Sequence, residues 1–421
     1  ILIRATNVAR CAIAFVADNL TQAGFTFYRL EREATPPAQA APRDRIENEF
    51  YRLRPTSTGI EIEDLRAGRR LVLHFEDDGD RGDEYNFDPV PGAATISAPA
   101  KISSCVAEDG VARKRIILVL EYAVPAALAR GRAARDARVE PLEIELHATL
   151  HAGLDRIDFE ARVNNRSRDH RLRVAVSTPV AASESIHDTS FGILRRSLAP
   201  AEANGIEDVY PTGPHRTFTA VESADFSVAL VSRGIYEAEV RAEPAGASIL
   251  LTLLRAVGWL SRSDLATRRG GAGPELETPG AQELGEHRFE FAIATAGCSL
   301  LQGGIVQRAS AYTAPPRMFA APRAIEALAG LISCDNPHVA FSTARSRPRA
   351  GSYCARVFSN SPETERAQFR FPEAMRARVV DLAGNAVKRA GMRRKRGGAL
   401  ELELRPFEIV TFEVTRRKQP R

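Results

Sequence analysis

Tryptophan is nearly missing from this chain of 421 residues, which holds one, Trp259, beside 8 tyrosines and 19 phenylalanines. Sugar-binding faces stack pyranose rings on exposed aromatic rings, and Trp259 sits in an apolar stretch read as a strand, so a free-standing lectin is disfavoured. Long apolar runs are missing too. None approaches the roughly 18 residues that a membrane helix needs, which excludes a helical membrane span. Good helical periodicity is almost absent. Its best stretch, residues 125–138 (PAALARGRAARDAR), carries a glycine and no N-cap and reads as a polar loop between strands. Cysteines are few and far apart: Cys11, Cys105, Cys298, Cys334 and Cys354. No CxxC pair exists, which disfavours a zinc ribbon, and the pattern fits reduced, buried thiols in a cytoplasmic protein. A Cys334–Cys354 pairing stays open. No G-x-S-x-G, P-loop or dinucleotide fingerprint is present, and Gly270-Gly271-Ala272-Gly273 lacks the strand-to-helix context that phosphate binding needs.

One-signed charge is also scarce. The net charge is +5, and its basic residues are mostly dispersed arginines. The dense runs are Arg393 to Arg396, read as a hairpin turn, and Arg416 to Lys418, read as a solvated tail. Neither makes the continuous basic face that nucleic acid requires. The chain opens on Ile1, and ILIRATNVARCAIAFV is a poor signal peptide, so the expectation is a polypeptide that begins upstream.

What the chain has in plenty is short runs of alternating or continuous apolar residues between Gly, Pro, Asn and Asp. Examples are 71–75 (LVLHF), 115–121 (RIILVLE), 142–150 (LEIELHATL), 157–163 (IDFEARV), 172–176 (LRVAV), 249–254 (ILLTLL) and 400–404 (LELEL). Alternation with period two sets one face on a core and the other in water, which predicts antiparallel strands and an all-β fold of stacked sandwiches. Breakers divide the chain into three. Residues 1–44 hold a strand at 25–30 and a Pro/Ala-rich linker at 33–42. Residues 45–312 form a large β domain, and 313–421 a small C-terminal β domain. The Gly-rich segment 268–274 reads as a flexible loop.

Six stretches, in order, carry a resemblance. They are 48–69 (NEFYRLRPTSTGIEIEDLRAGR), the acidic loop 75–89 (FEDDGDRGDEYNFDP), 170–179 (HRLRVAVSTP) with Phe191 and Arg195, 214–221 (PHRTFTAV) with 234–237 (GIYE), 253–274 (LLRAVGWLSRSDLATRRGGAGP) and 404–414 (LRPFEIVTFEV). Together they resemble the C-terminal portion of glycoside hydrolase family 38 α-mannosidases. The acidic loop and the SRSDL hairpin are more similar to bacterial mannosidases and mannosylglycerate hydrolases than to Golgi or lysosomal enzymes.

That resemblance implies a large, galactose-mutarotase-like β-supersandwich followed by a small β-sandwich. It implies a retaining exo-mannosidase whose N-terminal α/β domain carries an Asp nucleophile, an acid/base carboxylate and a zinc ion held by two His and two Asp. Retaining chemistry needs two carboxylates about 5 Å apart. None of those motifs is present, so no nucleophile, acid or zinc ligand is assigned to this chain. The implied partners are a mannoside or mannosylated small molecule, the N-terminal catalytic domain, and further copies of the chain in a homo-oligomer. The β region completes one wall of the sugar pocket. Tyr85, between Asp83 and Asn86, resembles a tyrosine whose hydroxyl approaches the reacting mannose; as a structural residue it would be a core tyrosine. The hairpin residues Arg262, Asp264 and Arg268 resemble the source of an arginine near the pocket; as structural residues they form a solvated loop.

Other chemistry is weaker. The run Glu76, Asp77, Asp78, Asp80, Asp83, Glu84 and Asp88 invites a calcium reading, but it lacks EF-hand order. His147 and His151 on one strand stand about 13 Å apart at ~3.3 Å per residue, too far for one metal. His170, His187, His215 and His287 read as structural. The alternatives to a mannosidase portion are a stand-alone carbohydrate-binding or scaffold module and, less favoured, a mutarotase acting through His and Glu.

Overall fold

The structure is a computed structural model. It describes residues 2–5, 11–15, 17, 44–199, 202–318, 330–347, 351–372, 375–389, 391–395 and 398–416; for 2–5 and 11–14 it describes backbone alone. The linker at 33–42, the strand expected at 25–30 and the basic tail after Arg416 lie outside these residues. The described residues fall into two compact units. The larger takes in those of Pro37–Asp188 and Arg195–Ser299, and the smaller those of Ile1–Pro36, Thr189–Leu194 and Leu300–Arg421.

Every sheet is antiparallel, as period-two patterning demands. A nine-stranded sheet runs Gly192–Ser197, Glu184–Thr189, Phe218–Glu222, Ser227–Arg233, Gly285–Ala296, Ile157–Asn165, Val139–His151, Arg113–Pro125 and Lys101–Asp109 in spatial order. An eight-stranded sheet runs Thr212–Pro214, Glu237–Glu243, Gly246–Ala256, His170–Thr178, Arg69–Gly79, Gly59–Asp64, Tyr51–Pro55 and Ile46–Glu47. The apolar faces of the two close on one core that includes Leu73, Phe75 and Val174 from one sheet and Leu118, Ile144, Phe159 and Phe291 from the other. Strand Arg113–Pro125 shows the cause, because Ile116, Leu118, Leu120, Tyr122 and Val124 are buried while the residues between them are more open. A slip of one residue would turn that whole set to water, which fixes the register.

Strand His170–Thr178 departs from simple alternation. Its core face carries Leu172, Val174 and Val176, yet Arg171 and Arg173 on the opposite face are also buried. The pairing with Gly246–Ala256 shifts register between Leu172 and Arg173.

The smaller unit holds two four-stranded sheets, one ordered Ser333–Cys334, Glu365–Arg370, Leu400–Leu404, Arg393–Arg394, the other Val339–Ser346, Tyr353–Ser359, Ile409–Arg416, Met375–Val380. Leu400, Leu402 and Leu404 pack there with Phe369 and Phe412, whose ring centroids lie 4.8 Å apart.

Four local expectations are corrected. Trp259 follows strand Gly246–Ala256 in a loop, where an isolated bridge pairs it with Glu277. The segment at 268–274 is anchored, since Arg268 is buried. Cys105 is exposed on the edge strand Lys101–Asp109; it, Cys298, Cys334 and Cys354 are all free thiols. One α-helix, Ile305–Thr313, stands where no helix was expected; Ile305, Val306, Ala309 and Tyr312 give it a buried stripe too short to read against strand patterning. Residues 126–138 form a loop, as their sequence predicts. No helix among the described residues is long and apolar enough to cross a membrane.

Candidate functional site

Three strands of the eight-stranded sheet meet at one end. The register sets His170 opposite both Gly79 and Ala256. The chain leaving Gly79 is the acidic segment, and the chain leaving Ala256 is the loop read as the SRSDL hairpin. They therefore run out side by side, and the pattern of hydrogen bonds that follows ties them together.

Asp80 and Asp83 organise the acidic segment from inside it. Asp80 Oδ1 accepts the Gly82 and Asp88 amides at 2.8 and 3.2 Å, and Oδ2 accepts Arg255 Nε at 2.9 Å. Asp83 Oδ1 accepts the Tyr85 and Asn86 amides at 3.0 and 2.9 Å. These are Asx-type turns closed by charged acceptors. Gly82 is required between them, because a Cβ there would overlap the carbonyl oxygen of Asn86.

Asp83 Oδ2 then reaches across to the second loop. It accepts the Arg262 amide at 2.8 Å and Arg268 Nη2 at 2.6 Å. The Arg268 guanidinium is saturated: Nη2 also donates to the Arg262 carbonyl at 2.9 Å, Nε to the Gly270 carbonyl at 3.1 Å, and Nη1 to Asn86 Oδ1. Arg255 Nη2 adds bonds to the carbonyls of Asp83 and Asn86 at 2.9 and 3.0 Å. Ser261 Oγ accepts the amides of Ala272 and Gly273, fixing the Gly-rich turn. Burial pushes the Asp83 carboxyl up, but Arg268 and the amides of Asn86 and Arg262 outweigh it and hold the group below its ordinary value. For Asp80, enclosed completely, burial wins over Arg255 and the value is raised.

All six residues singled out from the sequence join one hydrogen-bonded cluster, Asp83, Asn86, Arg268, Arg262 and Asp264 with side chains in it and Tyr85 through its amide alone. Arg262 Nε and Nη2 donate to the two Asp264 oxygens, each at 2.7 Å, and its guanidinium lies 4.8 Å from the Trp259 ring centroid. Asp264 is open to solvent, and Tyr85 is 54% exposed with its hydroxyl beside Gly273. Tyr85 is therefore a surface residue of the site and not a core tyrosine. Arg268 and Asp83 hold the loops together from beneath, while Tyr85 and the Arg262–Asp264 pair face outward.

A third wall comes from residues 126–138. Arg132 donates to the Arg81 carbonyl and Arg135 to Asp77 Oδ1. The rest of the acidic run meets arginines too: Asp88 holds Arg81 at 2.7 Å, Asp78 holds Arg171 and Arg173 at 3.1 and 2.9 Å, and Glu76 holds Arg173 and Arg241 at 3.0 and 2.7 Å. A cavity of about 260 Å³ lies against this lattice, lined in part by Asp78, Phe87, Arg171, Arg173, Tyr210 and Glu239. Among the described residues no group of three or more His, Cys, Asp or Glu could hold a metal ion. No step is derived through the zinc that the family resemblance implies.

The histidines all have partners. His170 Nδ1 lies 2.5 Å from Asp77 and Nε2 2.9 Å from Asn165 Oδ1. His187 and His215 share Thr219 Oγ1, at 2.9 and 2.8 Å. His147 pairs with Glu145, His151 with Asp158, and His287 with the Glu283 carbonyl.

Sequence reasoning missed Arg255, Arg132 and Ser261. Arg255 stands on strand Gly246–Ala256 beside Leu254 and Ala256, and a charge at the end of an apolar strand was its only local signal.

An antiparallel supersandwich with an arginine-tied loop layer at one strand end defines the class, and comparison with known proteins places it. The model "Glycosyl hydrolases family 38 C-terminal domain" matches residues 46–263. The chain belongs to glycoside hydrolase family 38. A protein of Halalkalibacterium halodurans named "Putative mannosylglycerate hydrolase" is 22% identical over 263 residues, covering 58% of this chain and 27% of that protein. An α-mannosidase structure from Enterococcus faecalis V583 superposes with a TM-score of 0.74 at 22% identity, over 89% of this chain and 42% of that one. A family 38 protein of Enterococcus faecalis gives 0.73 at 21% identity, over 91% and 45%. These likenesses establish the fold, and the chain spans less than half the length of each relative.

Proposed function

We propose that this chain is the C-terminal, non-nucleophile part of a retaining α-mannosidase acting on terminal α-mannosides. In this reading it packs on the family's catalytic domain and supplies one wall of the sugar pocket. Tyr85 is the wall residue that meets the sugar, since a phenol can donate a hydrogen bond toward a ring or nucleophile oxygen without adding charge. The Arg262–Asp264 pair borders it. Asp83, Asn86 and Arg268 position both from below.

The observation that carries this reading is the division of labour in the loop layer. Asp83, Asn86, Arg255 and Arg268 bond one another beneath, and Tyr85, Ile206 and Leu276 stand more than half exposed on the layer they build. The Arg269 amide bonds Ile206 and the Leu260 amide bonds Leu276, which joins both to the Arg268 loop. A layer tied together beneath, with exposed apolar side chains above it beside the Arg262–Asp264 pair, suits a surface that another domain covers.

The test is hydrolysis of p-nitrophenyl α-mannoside by the purified chain, alone and combined with a family 38 catalytic domain, with and without zinc. Turnover only in the combined sample is the expected result. Turnover by the chain alone would contradict the assignment. Mannoside binding by the chain alone, without turnover when combined, would favour a stand-alone carbohydrate-binding module.

A further inference from the structure

The smaller unit has a second cavity, of about 260 Å³, on the sheet face that turns away from its core. Register sets Arg345, Cys354, Glu413 and Arg378 abreast across the four strands, with Thr343, Arg356, Thr411 and Val380 forming the adjacent row. Three guanidinium groups line the cavity, those of Arg345, Arg347 and Arg356, and one carboxylate does, that of Asp381.

Charge in this cavity is not balanced. Asp381 is occupied locally, its oxygens accepting the Asn385 amide at 2.8 Å and Nδ2 at 3.0 Å. Glu413 is shared by Arg347 at 3.2 Å and Arg378 at 2.5 Å. Arg356 donates Nε to Thr411 Oγ1 at 3.1 Å and has no carboxylate partner among the described residues. The Arg345 side chain, exposed, has no ion pair or hydrogen bond among the described residues. Elsewhere the chain answers its clustered arginines with carboxylates, as along the acidic run. Here three guanidinium groups share a concave surface with one carboxylate, Asp381, so positive charge is in excess. A concave site with an excess of one sign of charge raises the local concentration of the opposite sign. Two planar forks suit the several acceptor oxygens of a phosphate group, which carries about −1.5 to −2 charge at neutral pH.

We propose that this cavity binds a phosphate group, free or as a sugar phosphate monoester, through Arg345 and Arg356, with Arg347 at its edge. The site lies within the smaller unit and does not depend on the mannosidase reading.

Cys354 makes the test direct, because its free thiol lines the cavity while Cys105, also free, lies exposed on a strand of the other unit. The full chain is alkylated with iodoacetamide, a neutral reagent, and both sites are followed by peptide mass spectrometry. Samples hold inorganic phosphate, a hexose 6-phosphate, or potassium chloride at matched ionic strength. At about ten times the dissociation constant the vacant fraction falls to about one in eleven, so Cys354 labelling should slow about tenfold while Cys105 stays constant. Protection by inorganic phosphate alone identifies the free anion, and stronger protection by the sugar phosphate identifies the ester. Arg345→Gln should abolish protection; that side chain is exposed and unpartnered, so the variant keeps its fold, checked by an unchanged melting temperature. Arg356→Gln should do the same. Cys354 labelling that neither anion slows, or protection that survives in the double variant, would overturn the proposal.

Discussion

Asp83 and Arg268 are separated by 185 positions in the sequence and by 2.6 Å in space, and both are buried. Their ion pair joins the acidic segment to the loop that follows strand Gly246–Ala256. Removing one partner strands a buried charge, so Arg268→Ala should cost about 3–5 kcal/mol. Arg268→Lys should recover only part of that, because one ammonium cannot hold Asp83, Asn86 and two carbonyls at once. Urea unfolding of the two variants measures both losses. Equal stability of Arg268→Ala and the parent protein would mean that the clamp holds nothing.

Tyr85→Phe separates surface chemistry from folding. The side chain is largely exposed, so stability should stay within about 0.5 kcal/mol of the parent. In an enzyme assembled with the catalytic domain, kcat on p-nitrophenyl α-mannoside should fall about tenfold, the worth of one neutral hydrogen bond. An unchanged kcat removes Tyr85 from the pocket wall.

Gly82 is fixed by space. In Gly82→Ala the added methyl meets backbone, which cannot swing aside as a side chain would. The loop must open, releasing the Asp80 and Asp83 turns, at a cost of about 1–3 kcal/mol. Amide exchange at Gly82, Tyr85 and Asn86 should accelerate, while exchange in strand Arg113–Pro125 should not.

His187 and His215 give stability a pH dependence above the carboxylate range. Burial depresses both, to about 3 and about 4, from an ordinary value of 6.5. Below pH 6.5 the unfolded chain binds protons that the folded one refuses. Their contribution is therefore whole above pH 6.5 and drains as pH falls, by up to about 1.4 kcal/mol per unit for each imidazole. His187→Gln should flatten the slope of the urea midpoint between pH 6.5 and 5, whatever it does to stability at pH 7. A slope equal to the parent's would show that His187 is not held neutral.

Glu76 acts lower on the scale. Burial opposes its charge, but His74, Arg241 and Arg173 bring its value from 4.5 to about 2. Its stabilisation is present above pH 4.5 and is lost as pH falls toward 2, amounting to about 3 kcal/mol at full depth. Glu76→Gln should remove that part of the acid transition.

Strands were readable from the chain because each imposes a local rule. Stretches such as 142–150 and 400–404 alternate so regularly that one face is apolar and the other polar, and both lie in strands. The loop layer obeys no local rule. Asp83 and Arg268 could be singled out by resemblance to a family, but nothing near either residue says that they touch. Arg255 escaped notice because a solitary arginine ending an apolar strand looks the same whether it faces water or a buried aspartate. Trp259 was misplaced since LLRAVGWL continues the strand's hydrophobicity past the point where its hydrogen bonds stop. The helix Ile305–Thr313 gave too few turns for a periodicity to emerge.

The buried ties beneath Tyr85 bear on how this surface would meet another domain. Its loops are already held in one arrangement, so association would leave little backbone freedom to be lost. Binding should then resemble the fit of two rigid bodies, with a heat-capacity change set by the apolar area covered and no added contribution from folding on contact.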